Sequence, residues 1–327
     1  MLTVLCLNAG VDRTYEVEDF SVGGHYRPLR MRVQAGGKGI NVARLAHRLG
    51  TETIVSGFAG ASGGAFLIRQ LQTEGVITDF VPTDEEPRVC INIVNRRAGT
   101  QTRVDEPGPL ITPTEIELLR RKWPELLGKS RAAVISGSAP RGVPFSIYGE
   151  LIGVARKAGV PVILDTRDEL LTEGVKAKPL MIKPNLEELS VLRGRPVHNA
   201  QQALAAGQEL AEGGISIVLI SMGAGGAVAV TRKQGAWIAK PPKVESVSAV
   251  GSGDAMVAGF AAASLSGSGF ADCLRWAVAA GAANAIRFDN AACTRDEVLK
   301  LVPEVQLSRV DELSPITAPA AKIPATE

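Results

Sequence analysis

Residues 247–260 read VSAVGSGDAMVAGF, and their types and spacing mark the stretch of this chain best suited to chemistry. Gly251 and Gly253 flank Ser252, Asp254 follows at once, and Met256, Val257, Phe260 and Leu265 recur at helical spacing. The pattern predicts a glycine turn entering a helix near Gly253. The first amides of a helix have no intrahelical acceptor and carry the positive end of its dipole, so such a turn can hold an anion. Asp254 has two local readings. It can cap the helix, the commoner use of an Asp there. It can instead serve as a general base, deprotonating a hydroxyl while nearby amides hold developing negative charge.

Further stretches carry compatible chemistry. Gly36, Gly37, Lys38, Gly39 and Asn41 open a helix whose apolar stripe is Val42, Leu45, Ala46 and Leu49. This GGKG turn lacks the glycine spacing and the Lys-Ser/Thr pair of a P-loop, and it suits either a polyol or phosphate ligand or a plain turn. Asp12 follows the apolar run 2–7, where a strand end would place it beside a ligand or in an ordinary turn. Arg88 begins an alternating strand and either faces solvent or grips a phosphate with its planar fork. Lys183, Asn185, Glu187 and Glu188 stand at a strand end entering a helix. Lys183 can meet a phosphate, and Asn185 and Glu188 can order Mg²⁺ through water; the plainer reading is a solvated acidic first turn. Ser221, Gly223 and Gly226 lie in SMGAGG between two apolar strands, as a backbone cradle for phosphates or a simple hairpin turn. Asn284 is the one strongly polar residue in AVAAGAANAI, 277–286, and touches a nucleotide or faces water.

The elements that must position these residues alternate. Short apolar strands at 2–7, 53–58, 132–136, 161–165, 180–183 and 216–221 are separated by helices at 113–127, 145–158, 186–192 and 200–211. That order implies an α/β fold with a parallel sheet covered on both faces. Gly57, Gly60, Gly63 and Gly64 predict a loose turn before a helix at 66–73. Residues 13–34 and 88–105 show strand alternation without helical period and are expected to form a small β lid. A single main domain is expected to span 1–307, with a poorly ordered tail over 308–327. A net charge of +2 leaves no footprint for nucleic acid. No apolar run is long enough for a membrane span, and four scattered cysteines form no CxxC, so a reducing cytoplasm is the expected compartment. A dinucleotide oxidoreductase is excluded because no G-x-G-x-x-G follows the first strand.

Together these motifs give the chain a family likeness. GGKGINVAR at 36–44 and VGSGDAMVAGF at 250–260 resemble the two signature regions of the ribokinase, or phosphofructokinase B, family of carbohydrate kinases. ISGSAP at 135–140, KPNLEEL at 183–189 and SMGAGGA at 221–227 match in the family's order. LNAGVDRTYEV, RVCINI and DEPGP at 105–109 are most similar to its hexose-phosphate branch, the 1-phosphofructokinase and tagatose-6-phosphate kinase type. The resemblance implies a ribokinase-like fold with a β lid, and an ATP- and Mg²⁺-dependent kinase for fructose 1-phosphate, tagatose 6-phosphate or fructose 6-phosphate. It implies Asp254 as base, Gly251, Ser252 and Gly253 as anion hole, and Asp12, Gly37, Lys38, Asn41, Arg88 and Ser138 around the sugar phosphate. It implies Lys183, Asn185, Ser221, Gly223, Gly226 and Asn284 for ATP, with Glu188 and Asn185 serving the metal. A monovalent cation and a homodimer through the lid are further family properties. Two departures stand out: Asn8-Ala9-Gly10 replaces the usual Asn-Pro and is expected to loosen that loop, and Gly-Ser-Gly-Asp is the branch's own form of the catalytic turn. The alternatives are a kinase for an unphosphorylated sugar or nucleoside, and a non-catalytic sugar-phosphate sensor.

Overall fold

The computed structural model describes residues 1–287, 289 and 291–310. The apolar run after Met1 forms β1 (Leu2–Cys6), buried along its length. The chain then enters a separate sheet through β2 (Gly10–Val17) and β3 (Arg30–Gly36), before α1 (Lys38–Arg48), β4 (Thr53–Gly60) and α2 (Ala61–Thr73) return it to the core. Short β5 (Ile77–Thr78) and β6 (Val81–Thr83) precede the expected hairpin, β7 (Arg88–Asn95) and β8 (Thr100–Asp105). Regular alternation follows: α3 (Pro113–Gly128), β9 (Ala132–Ser136), α4 (Ile147–Lys157), β10 (Val162–Asp165), α5 (Asp168–Lys176), β11 (Met181–Ile182), α6 (Leu186–Arg193), α7 (Ala200–Glu212) and β12 (Ile217–Ser221). β13 (Ala227–Thr231) and β14 (Gly235–Lys240) turn back, and α8 (Ser252–Leu265), α9 (Phe270–Ala285), α10 (Arg295–Leu301) and β15 (Gln306–Arg309) complete the described chain.

The main sheet runs β15-β14-β13-β12-β11-β10-β9-β1-β4-β5, with β6 also on β4. From β12 to β5 every pairing is parallel, while β13, β14 and β15 add an antiparallel edge. Parallel strands need crossovers, and these helices cover both faces. Leu2, Val4 and Cys6 of β1 join a core with α1, α2, α8, α9 and α10. Leu5 and Leu7 point the other way, into a core with α3 to α7. The period-2 alternation of a strand therefore feeds two cores from one segment. The second sheet, β3-β2-β7-β8, is the expected lid.

Three local expectations are corrected. β4 runs directly into α2, which begins at Ala61 rather than near Phe66. The helix holds despite Gly63 and Gly64 because the Glu86 carboxylate accepts hydrogen bonds from the Ser62 and Gly63 amides, 3.2 and 2.7 Å, supplying an external cap. α5 has no counterpart among the expected helices; Asp168 and Glu169 stand in its first turn, and Leu170 and Leu171 are buried beneath it. Ser308 and Arg309 pair with β14 in β15, so the first residues of the expected tail belong to the sheet. Residues 311–327 lie outside the described part.

Candidate active site

Gly251 ends the loop before α8 in the left-handed region, φ 80°, and serves as the helix N-cap. An L-residue with a side chain rarely adopts that conformation, which is the physical reason for glycine at this turn. α8 then starts at Ser252, so the amides of Gly253 and Asp254 have no intrahelical acceptor. Asp254 sits in this first turn with its side chain buried, and Asn41 Nδ2 donates to its Oδ2 at 2.9 Å. Burial pushes the Asp254 carboxyl up to about 6, and the nearby Asp165 carboxylate adds to the rise; Lys38, the Asn41 hydrogen bond and Lys183 pull the other way. A buried carboxylate poised near neutrality, beside unpaired amides, has the properties of a general base.

Around it stands a charge cluster that includes a residue the sequence motifs do not mark. Asp165, the last residue of β10, is fully buried and pairs with Lys183 Nζ at 3.1 Å. Burial pushes its carboxyl up, but Lys183 and Lys38 outweigh that and hold it below the usual carboxylate range. Lys38 Nζ lies 3.9 Å from Asp165 Oδ1 and 3.6 Å from Glu188 Oε1. Lys38 thus stands with Asp165 and Glu188, in the cleft that Asp12 and Arg88 also line. Asp165, chiefly, keeps its ammonium pKa raised against the opposing effect of burial, so it is a fixed positive charge. Asn185 and Glu188 form a capping box on α6: Asn185 Oδ1 accepts from the Glu188 amide at 2.8 Å, and Glu188 Oε2 accepts from the Asn185 amide at 2.9 Å. The plainer reading of this pair is therefore present, and it leaves Glu188 Oε1 directed at Lys38. The end-of-strand rule that singles out Asp12 applies equally to Asp165, closing the apolar run PVILD.

The lid lines the same cleft as Asp254. Asp12 is not at the end of a main-sheet strand; it lies within lid strand β2, because β1 stops at Cys6 and only three residues separate the two strands. Its carboxyl nestles where a side chain on Gly36 would stand, a Cβ there falling 2.2 Å from Asp12 Cγ. A side chain at 36 would have to displace the Asp12 carboxyl. Burial raises the Asp12 carboxyl, with Arg103 and Arg88 opposing. The loop at Asn8 is tied down rather than loose. Asn8 Nδ2 donates to Pro107 O and Ser138 Oγ at 3.2 and 3.1 Å, and Arg88 Nε donates to Asn8 O at 3.1 Å. Arg103 and Asp105 of β8, 3.2 Å apart, join Asp12 and Arg88 in lining the cleft. Arg103 is not marked by the motifs and Asp105 only opens DEPGP, although β8 alternation places both on one face of the hairpin.

Ser221, Gly223 and Gly226 line the far end of the cleft in the turn between β12 and β13, which is also a hairpin turn. Asn284 does neither of the things its sequence context offers. It is fully buried, and its amide bonds to Val250 O, Ser252 Oγ and the Ala291 amide. It neither lines the cleft nor faces water. Gly37, Lys38, Asn41, Arg88, Ser138, Lys183, Asn185 and Glu188 all line the same space as Asp12, the 251–253 turn and Asp254. That space is a single cleft of about 1000 Å³, large enough for a nucleotide and a sugar together.

The sequence pattern of the pfkB family carbohydrate kinases matches residues 4–296. The chain belongs to that family. As a pfkB kinase it is a phosphotransferase with an alcohol group as acceptor, built on the ribokinase-like α/β fold. It is 31% identical to the 1-phosphofructokinase of Borreliella burgdorferi, over 95% of this chain and 99% of that one. It is also 31% identical to the tagatose-6-phosphate kinase of Staphylococcus epidermidis, over 95% of this chain and 100% of that one. Structures of phosphofructokinase-2 from Escherichia coli, in complex with fructose-6-phosphate and with potassium, superpose on this pfkB kinase with TM-scores of 0.84 and 0.86. Each is 28% identical and covers 93% of this chain and 98% of its own. Among the described residues, no helix is long and apolar enough to cross a membrane.

Proposed function

We propose that this pfkB kinase phosphorylates a ketohexose phosphate with ATP, the acceptor being fructose 1-phosphate, tagatose 6-phosphate or fructose 6-phosphate. The observation that carries the proposal is that Asp254 shares one cleft with two separate pairs of cationic side chains. Lys38 and Lys183 gather at Asp165, and Arg88 and Arg103 line the cleft from the lid strands. Two charge-matched subsites suit two phosphorylated substrates, which an unphosphorylated sugar or nucleoside acceptor would not need. The names of the curated relatives support the same substrate class.

In the proposed reaction, the acceptor hydroxyl lies against Asp254, oriented by hydrogen bonds to Asp12 and Asn41. Asn41 Oδ1 is buried with no hydrogen-bond partner among the described residues, so it is able to accept from a sugar hydroxyl. The hydroxyl proton passes to Asp254 as its oxygen bonds to the γ-phosphorus of ATP. The bond from that phosphorus to the β-phosphate bridging oxygen breaks, and ADP leaves with the electron pair. The amides of Gly253 and Asp254 stabilise the equatorial oxygens, and Lys38 and Lys183 offset charge on the phosphates. Mg²⁺ fits this donor set: Glu188 Oε1 is the carboxylate oxygen left outside the α6 cap, and magnesium commonly takes one or two carboxylates, water and phosphate. Bound with the nucleotide, it would neutralise phosphate charge. Asn185, its oxygen engaged by the Glu188 amide, orients Glu188. Activation by a monovalent cation is tested by exchanging potassium for tetramethylammonium.

Arg88→Ala is expected to raise KM for the preferred sugar phosphate by about 10- to 100-fold, the worth of a charged hydrogen bond, with KM for ATP unchanged. Steady-state kinetics with each of the three acceptors tests this. An unchanged acceptor KM, or faster turnover of unphosphorylated fructose or a nucleoside, would move the assignment to the unphosphorylated class. Binding of sugar phosphate without any turnover would indicate a sensor.

We further propose a homodimer joined through the lid. The lid's pairing places Asp12, Gln34, Cys90 and Asp105 on one face. On the other face it places Tyr15, Met31, Val33, Ile91, Ile93 and Val104, with Met31 60% and Val104 57% exposed. A sheet with its polar face to the cleft and its apolar face outward needs a cover. The proposed cover is the lid of a second copy. Met31→Glu is expected to shift the mass measured by light scattering from dimer to monomer; a monomeric wild type would overturn this assembly. The proposed compartment is the reducing cytoplasm, where the four buried free cysteines persist as thiols.

A further inference from the structure

Asn284 is a neutral amide on the last turn of α9, fully buried beneath an Ala-rich surface. Burying an amide costs free energy unless its donors and acceptor are paired, so the partners say what holds it there. Its Nδ2 donates to Val250 O at 2.9 Å and approaches Ser252 Oγ at 3.4 Å. Its Oδ1 accepts from the Ala291 amide at 2.8 Å. Val250 and Ser252 are the two neighbours of Gly251, the left-handed residue that turns the chain into α8. The next carbonyl of α9, Ala285 O, accepts from the Val247 and Ser248 amides at 2.8 and 3.1 Å. The C-terminal turn of α9 therefore grips the loop on which the catalytic turn is built.

The far side of the same amide holds Ala291. Ala291, at φ 52°, has its amide held by Asn284 and its carbonyl held by Arg48 of α1. Asp289, two residues earlier, pairs with Arg32 of lid strand β3. One side chain thus ties Ala291 to the 250–252 turn.

We propose that Asn284 is a positioning residue for the 250–253 turn, acting through that turn without touching the nucleotide. The inference rests on the kinase function proposed above. Losing the Val250 and Ser252 bonds frees the turn to shift, and small displacements of groups that stabilise a transition state lower turnover rather than ground-state binding.

The test is steady-state kinetics of the full-length Asn284→Ala protein with MgATP and the acceptor the wild type prefers. The expected result is a kcat lower by about 10- to 100-fold with KM for ATP changed less than about twofold. A raised KM for ATP at unchanged kcat would overturn the proposal and make Asn284 a nucleotide contact. Unchanged kcat and KM would overturn it as well, leaving a spacer. Asn284→Leu, which keeps most of the volume and removes both polar atoms, provides the same measurement if alanine does not fold. A wild type that turns over no sugar phosphate would instead fail the kinase assignment itself, which separates the two.

Discussion

Asp254→Asn is expected to lower kcat by roughly a hundred- to ten-thousand-fold, the range for loss of a positioned general base. The same substitution is expected to raise stability. Burial, with Asp165 adding to it, lifts the Asp254 carboxyl to about 6 from 3.8. The folded protein then binds this proton more tightly than the unfolded chain does. Stability therefore falls as pH rises from about 4 to 6, and the whole penalty is present above that window. An asparagine keeps the shape without the charge, so thermal unfolding at pH 8 should show a gain on the order of 2–3 kcal/mol, shrinking towards pH 4. A wild-type kcat/KM profile should lose activity as pH falls through about 6, because the base must be ionised to act. Loss of activity with no gain in stability would mean that Asp254 is not held in the environment described.

Lys183→Ala carries the largest expected cost in stability. It removes the 3.1 Å partner of Asp165, a carboxylate with no exposure. Breaking such a pair typically costs about 3–5 kcal/mol, because the remaining charge is buried and under-compensated. Lys38, 3.9 Å away, recovers part of that. Lys183 and Lys38 hold the Asp165 carboxyl below its usual range against the effect of burial. Its contribution is thus present above the ordinary carboxylate pKa and lost as pH falls through the depressed one. In the variant the carboxyl titrates higher, so its deficit against wild type should be greatest at neutral pH and diminish under acid conditions. The double variant Asp165→Asn/Lys183→Met should recover most of the denaturation midpoint while kinase turnover stays low. Equal midpoints for wild type and Lys183→Ala at pH 7 would contradict the buried pair.

The sequence makes some of this site plain and hides the rest for identifiable reasons. The turn at Gly251 and the helix from Ser252 are legible because a left-handed conformation demands glycine and the small apolar run after Asp254 has helical spacing. The layered α/β order is legible because buried parallel strands are nearly all apolar. Asp12 is misplaced by local pattern because the linker from β1 to β2 is too short to signal that the chain has changed sheets. The partners of Lys38 are hidden because composition locates a Cα and not an ammonium, and Asp165 and Glu188 come to it from distant parts of the chain. Asn284 is hidden because burial is a tertiary property: one amide in an Ala-rich helix reads alike whether it meets water, a ligand or two backbone turns. The boundary of the last strand is lost because QLSR is four residues long and draws its support from β14.

The most direct measurement is ADP release from MgATP with fructose 1-phosphate, fructose 6-phosphate and tagatose 6-phosphate, comparing wild type with Asp254→Asn. Strong turnover of one sugar phosphate by the wild type, lost by orders of magnitude in a variant that still folds and binds ATP, is the predicted result. Wild type that binds ATP yet turns over none of the three, or an Asp254→Asn protein as fast as wild type, would contradict the assignment of this cleft as a sugar-phosphate kinase site with Asp254 as its base.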